Sequence, residues 1–353
     1  MTLRRYRGHL HLHSLWSDGT LPLPEIITHA REAGLDFLCP TDHQTLAART
    51  LAGWHGKLLL IPGMEINDRG HHVLAFGLEK EIPANEFDPQ CVVDQVREQK
   101  GTCFIAHPHD RTCRLLPGFE GCPWTDWNVQ GYAGIEIWNY MSAWKGEASS
   151  FASALKHYLH PTLTMPGPYP ETLARWDEQA RRRKVVAVGG SDAHGRSYRY
   201  AGLDFSVFPY PHLLRTINMH VLLPESLASE SNVAQSQILK ALAEGSSFVA
   251  HDHIDDPSNF EFFGVDSGDV RVDMGTEMFW KNDFELIVRI DKRSRIRLIR
   301  DGVEFAEGKG GVLRCRTAGP GVYRVEVYRR SRFGTEYPWI FSNPLFLRSS
   351  SEK

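Results

Sequence analysis

Apolar and polar positions alternate from the start of the chain. In His9-Leu10-His11-Leu12-His13 the apolar residues occupy every second position, which predicts a strand whose leucines enter a core while three imidazoles share the other face. Residues 22–34 then repeat apolar positions at helical spacing, with prolines in the first turn and a glycine just past the end. Residues 35–40 read as a short buried strand leading into Thr41-Asp42-His43, residues 57–66 as a third strand and 71–77 as a fourth. Asp88 caps a predicted helix running to Lys100, and the strand 102–106 delivers His107. The pattern continues with a strand over 133–139, helices over 144–160 and 171–184, a strand over 185–191 that empties into Asp192-Ala193-His194, and a helix over 232–245.

Strands separated by helices predict parallel pairing, and in parallel barrels chemistry gathers at the carboxyl ends of the strands. His43, Glu65, His107 and Asp192 all fall at such ends. From about residue 258 the texture changes to short alternating strands with turn signals such as Asp301-Gly302. This predicts a small antiparallel β-sandwich after the α/β region, with domains over 1–255 and 256–353.

Composition narrows the function classes. The 353 residues carry a net charge of −3, and the basic residues read as scattered, which argues against a dedicated nucleic-acid surface and favours a small or weakly charged substrate. The first eight residues have no apolar stretch behind them, and no run approaches a membrane span, so the expectation is a cytoplasmic protein without a membrane partner. Six cysteines without a C-x-x-C pair read as reduced, mostly buried thiols. All 17 histidines lie between His9 and His253, so any histidine chemistry belongs to the first part of the chain.

The candidate ligands are His11, His13, Asp18, His43, Glu65, His72, His107, Asp192 and His194. Nitrogen and carboxylate donors without thiolates suit zinc, manganese or iron at an open site. Their contexts, H-L-H-S-x-x-S-D-G, T-D-H, G-M-E, A-H-P and G-G-S-D-A-H, occur in the order of the PHP (polymerase and histidinol phosphatase) family, which the chain resembles over roughly residues 8–250. That resemblance implies a distorted (β/α)7 TIM-like barrel, in agreement with the strand and helix alternation. The β-rich tail also resembles that of the carbaryl-hydrolase-like branch.

By the same resemblance, His11, His13, Glu65 and Asp192 would surround a first divalent ion, with Glu65 bridging to a second ion held by His72 and His107. Asp18, His43 and His194 would hold a third. His72 is chosen over His71 because its context fits the family pattern. The chain departs from that pattern at His9-Leu10, where the family commonly has Asp-Leu.

The implied activity is phosphoester hydrolysis of a small phosphorylated metabolite, nucleotide or short oligonucleotide, with hydroxide generated at two or three divalent ions as the nucleophile. Asp192 would orient that nucleophile, and His194 or His109 would protonate the leaving group. Arg111, Arg196 and Arg199, in loops beside His107 and His194, are the candidate phosphate clamp. Glu136 is expected to line or support the site. An amidase, carbamate hydrolase or esterase on the same ions needs no such clamp, and a metal-stabilised scaffold with a binding β-domain is a third reading.

Overall fold

The computed structural model describes residues 3–67, 69–85, 87–113, 120–148, 150–200, 203–280, 284–330 and 334–349, without the side chains of 151, 162, 163 and 197–206. It is a mixed α/β protein built on two large sheets. The first strand, Arg4–Leu10, pairs in parallel with Phe37–Cys39 and antiparallel with Ile217–Leu223. Between the first two, the helix Leu23–Glu32 buries Leu23, Ile26, Ile27 and Ala30 at helical spacing, and Gly34 leaves it with φ +72°.

The apolar run at 57–66 predicted one strand and forms two. Pro62 interrupts the ladder, so Leu58–Leu60 joins the first sheet beside Phe37–Cys39, while Gly63–Ile66 opens the second. Parallel pairing also fails locally. Gly63–Ile66 and Val73–Phe76 are antiparallel because residues 67–72 are too few for a crossover, and Val73–Phe76 is antiparallel to Thr102–Ile105 as well. The expected parallel order returns from Thr102–Ile105 through Gly134–Asn139 to Val186–Gly190.

Two isolated bridges join the sheets: Leu12 with Ala193, and His43 with Glu65. Leu12 lies between His11 and His13, and Ala193 between Asp192 and His194, so both seams run through the candidate ligands.

The helix predicted over 144–160 is three pieces, Tyr140–Glu147, Phe151–Leu159 and Pro161–Thr164. The Asn139 side chain accepts a hydrogen bond from the Ser142 amide at 2.8 Å and starts the first piece early. A Ser150–Ser153 capping box restarts the second. No helix among the described residues is long and apolar enough to cross a membrane.

The C-terminal strands are mainly antiparallel and enclose a second core that includes Phe248, Phe260, Phe284, Tyr323 and Trp339. They do not begin a separate sheet at residue 256. Ser247–His251 pairs directly with Glu336–Ser342, so the first sheet continues into them. Two buried polar contacts reinforce this continuity. The Asn343 amide brackets Ala187, accepting from its N–H at 2.6 Å and donating to its carbonyl at 3.0 Å. Arg324 forms a bidentate pair with Asp177, 2.7 Å at each oxygen, and a third 2.7 Å contact with Glu326.

Removing one member of a buried ion network strands the charges that remain. Arg324→Ala is therefore expected to lower unfolding free energy by about 3 kcal/mol or more in urea titrations. A loss below about 1 kcal/mol, the range of exposed pairs, would show that the network contributes little.

Candidate metal centre

The candidate ligands sit where strands end and the backbone turns sharply. His11, His107 and Asp192 adopt φ of 75°, 22° and 59°, left-handed values that non-glycine residues rarely take and that concentrate at functional sites. The turn at His11 also breaks the predicted alternation. His11 and His13 point into one cluster, but His9 faces elsewhere, with Nδ1 2.8 Å from Asn218 Oδ1 and Nε2 2.7 Å from Ser191 Oγ. Full burial without a neighbouring carboxylate contact pushes the His9 ring down to about 4.

Glu65 is the hub. Its Oε2 lies 3.1 Å from His11 Nε2, 3.2 Å from His13 Nε2 and 3.3 Å from His43 Nδ1; its Oε1 lies 2.7 Å from His72 Nδ1 and 3.2 Å from His107 Nε2. Asp192 Oδ1 approaches His11 Nε2 at 3.3 Å and His13 Nε2 at 3.1 Å. Asp18 Oδ1 approaches His194 Nε2 at 3.1 Å and His43 Nε2 at 3.5 Å.

Ligand atoms thus gather within 4.8 Å of one another in three overlapping groups: His11, His13, Glu65 and Asp192; Glu65, His72 and His107; and His13, Asp18, His43 and His194. All nine sequence candidates are brought together.

The donor set fits divalent cations. His13 Nδ1 and Nε2, Asp18 Oδ1, His43 Nδ1 and His107 Nδ1 are buried without a hydrogen-bond partner, and the short contacts of His13 Nε2 lack hydrogen-bond direction. Atoms so arranged converge on shared points rather than satisfying one another. Glu136 supports them from behind. Its Oε1 lies 3.0 Å from His11 Nδ1, while its Oε2 accepts from the His107 amide at 2.9 Å and from Asn139 at 3.0 Å. With its proton on Nδ1, His11 offers Nε2 to the cluster.

The charges of the cluster depend on one another. Burial opposes charge on Glu65 and Asp192, but the surrounding rings, His11 foremost, hold both carboxyls well below their usual range. Burial likewise opposes charge on His13 and His72, yet Asp192 and Glu65 raise His13 to about 9, and Glu65 with the Cys122 side chain raises His72 to about 10. His43 goes the other way, down to about 4, because burial dominates and the His13 and His194 rings add repulsion.

A cleft of about 170 Å³ opens above the cluster, lined also by Asp110, Cys122, Ser142, Lys145 and Arg196. Arg196 reaches it and pairs with Asp18. Arg111 does not; it pairs with Glu171 and stacks on Tyr169, 4.2 Å from the ring centroid. His109 also turns away, hydrogen-bonding Thr172 at 2.9 Å and stacking on Trp127. The Arg199 side chain lies outside the described residues. The sequence reading missed Lys145, whose Nζ contacts Asp110 on the cleft wall. No motif marks either residue; only the packing of the helix Tyr140–Glu147 brings them together.

No family model matches the chain. A curated phosphoribosyl 1,2-cyclic phosphate 1,2-diphosphodiesterase from Eggerthella lenta is 33% identical over 84 residues, covering 21% of this chain and 32% of that protein. The chain thus matches about a third of that relative's length.

Among solved structures, a two-domain protein from Bacteroides vulgatus, described as containing a predicted PHP-like metal-dependent phosphoesterase, matches over 95% of both chains, at 16% identity and a TM-score of 0.45. A protein from Bifidobacterium adolescentis to which a metal-dependent phosphoesterase activity has been assigned by prediction matches over 53% of this chain and 87% of its own, at 18% identity and a TM-score of 0.34. An amidohydrolase from Chromobacterium violaceum, solved with bound sulfate and no metal, matches over 57% and 92%, at 17% identity and a TM-score of 0.31. Two of these three solved structures are described as metal-dependent phosphoesterases, one of them as PHP-like.

Proposed function

We propose that the protein is a metal-dependent phosphoesterase acting on a small phosphate ester or nucleotide. The observation that carries this reading is the set of three ligand groups overlapping at Glu65 and His13, a layout suited to adjacent cations rather than one structural ion. In this reading residues 1–255 form a distorted seven-stranded barrel and residues 256–353 an accessory β-sandwich. His11, His13, Glu65 and Asp192 hold one divalent ion of zinc, manganese or iron, and Glu65, His72 and His107 a second. Asp18, His43 and His194 hold a third, with His13 beside them.

Bound divalent ions would supply Lewis acidity and lower the pKa of a nearby water. The chain's own residues do the rest. His194 Nδ1 donates to the Asp192 carbonyl at 2.8 Å, which fixes its tautomer and leaves Nε2 to face Asp18 and the cleft. Asp192, reaching the cluster from a strained turn, orients the attacking water. Arg196 is the clamp candidate that lines the cleft, and Lys145 faces the same space. His109 is turned toward Thr172 and Trp127, and His194 can serve as proton donor only where its Nε2 does not hold the third ion, because one ring nitrogen cannot do both.

One observation favours hydrolysis of a neutral ester or carbamate on the same site. Among the described residues, the Lys and Arg lining the cleft are already paired, Arg196 with Asp18 and Lys145 with Asp110. A panel of chromogenic phosphomonoester, phosphodiester, carboxyl ester and carbamate, with metal content measured alongside, separates the two readings. Phosphoester turnover is expected, with Asp192→Ala reducing kcat by at least about a hundredfold. Carbamate or ester turnover alone would replace the proposal, and stoichiometric metal without any turnover would leave a scaffold.

The raised His13 and His72 rings are protonated near neutral pH, whereas metal ligation needs neutral imidazoles. Metal uptake is therefore expected to release protons and to weaken as pH falls from about 8 to about 6. Calorimetry in buffers of different ionisation enthalpy measures this directly, and uptake without proton release would contradict it.

His9 acts on the cluster through Ser191, the neighbour of Asp192. His9→Leu is expected to weaken metal binding about tenfold, the usual scale for loss of an outer hydrogen-bond partner. Unchanged affinity in a folded variant would remove His9 from the site.

A further inference from the structure

The near-neutral total charge conceals a division along the chain. Residues 285–348 hold fourteen Lys and Arg against seven Asp and Glu, a net +7, while the remainder carries −10. The expectation that basic residues are scattered therefore fails for the C-terminal strands.

The charge is focused where the long strand Glu285–Arg300 loses register. Arg289 pairs with Val312 and Ser294 with Gly310, so residues 290–293 face the single position 311 on the neighbouring strand. Such irregularities bend a strand and re-aim its side chains. Here the bend leaves Arg293 exposed beside a hollow of about 300 Å³, whose lining also includes Ser294, Arg295, Lys309, Arg330 and Glu336.

Arg295 is divided between two carboxylates, Glu307 at 2.7 Å and Glu336 at 2.9 Å. Arg293, Lys309 and Arg330 have no carboxylate within ion-pair distance among the described residues. On the opposite strand a Cβ added at Gly310 would meet nothing within 4 Å, so the space above is open.

Arg293, Arg295, Lys309 and Arg330 stand against Glu307 and Glu336, which leaves two positive charges in excess around the hollow, and an anion placed among them relieves the repulsion. A single carboxylate would balance only one of them, whereas a chain of phosphates offers several charges and suits the guanidinium forks. The hollow lies at the small end of the size range of ligand pockets. We propose that it binds a compact polyphosphate anion, at a site whose lining shares no residue with the metal centre. The chemistry is that of inorganic tripolyphosphate or the polyphosphate end of a nucleotide.

The test uses full-length protein and inorganic tripolyphosphate, titrated calorimetrically in about 0.15 M salt, where weak surface attraction is largely screened. Three proteins are compared: wild type, the exposed triple variant R293Q/K309Q/R330Q, and Asp192→Ala. Saturable binding that is unchanged in Asp192→Ala and at least about tenfold weaker in the triple variant is expected. Because the readout is binding, the result is independent of whether the metal centre hydrolyses phosphoesters.

Binding lost in Asp192→Ala but kept in the triple variant would place the anion at the metal centre and overturn the proposal. So would no binding at all. A 5′-hydroxyl single-stranded oligonucleotide that binds when tripolyphosphate does not would make the face an extended strand surface, and would also overturn it.

Discussion

Everything at the centre of this protein depends on one carboxylate, Glu65, held in the interior among five imidazoles. A buried charge is tolerated only when paired on all sides, and the five rings arrive from different parts of the chain. The backbone of Glu65 also forms the bridge to His43 that joins the two sheets. Holding Glu65 in place and closing the seam between the sheets are therefore the same structural problem.

The surrounding structure keeps that arrangement rigid by spending backbone strain at three positions, His11, His107 and Asp192. Each strained turn has a fixed support. Glu136 ties His11 to the His107 amide, and the His11 carbonyl accepts from the Asp192 amide at 2.9 Å. Behind Asp192, Ser191 meets His9, which continues through Asn218 to Asp252 at 2.9 Å. Asp252 follows the strand that pairs with the C-terminal sheet, so the C-terminal strands are mechanically continuous with the cluster.

The cluster was legible because donor chemistry is carried by residue type and context, and His11, His107 and Asp192 closely follow strands whose apolar runs are visible, whereas Asp18 lies in a turn well past the first strand. The local directions were less so. Alternation placed His9 with His11 and His13, but alternation assumes an unbroken strand, and the left-handed turn at His11 ends it. Strand direction differs from expectation between Val73–Phe76 and Thr102–Ile105, because the apolar pattern reports burial and not direction. Strands such as Ile217–Leu223, with Asn218 and His220 buried inside it, hid because their polar residues are satisfied by partners far away in sequence. Arg111 and His109 were placed by proximity along the chain, yet Glu171 and Thr172 turn both away from the cleft. Lys145 and Asp110 had no local signature at all.

In the proposed function Glu65 is shared between two ion positions. Metal content of Glu65→Gln, measured by inductively coupled plasma mass spectrometry beside His107→Ala, addresses it most directly. The shared role predicts that Glu65→Gln loses both ions together while His107→Ala loses one. A folded Glu65→Gln protein that keeps the wild-type metal content would contradict the account.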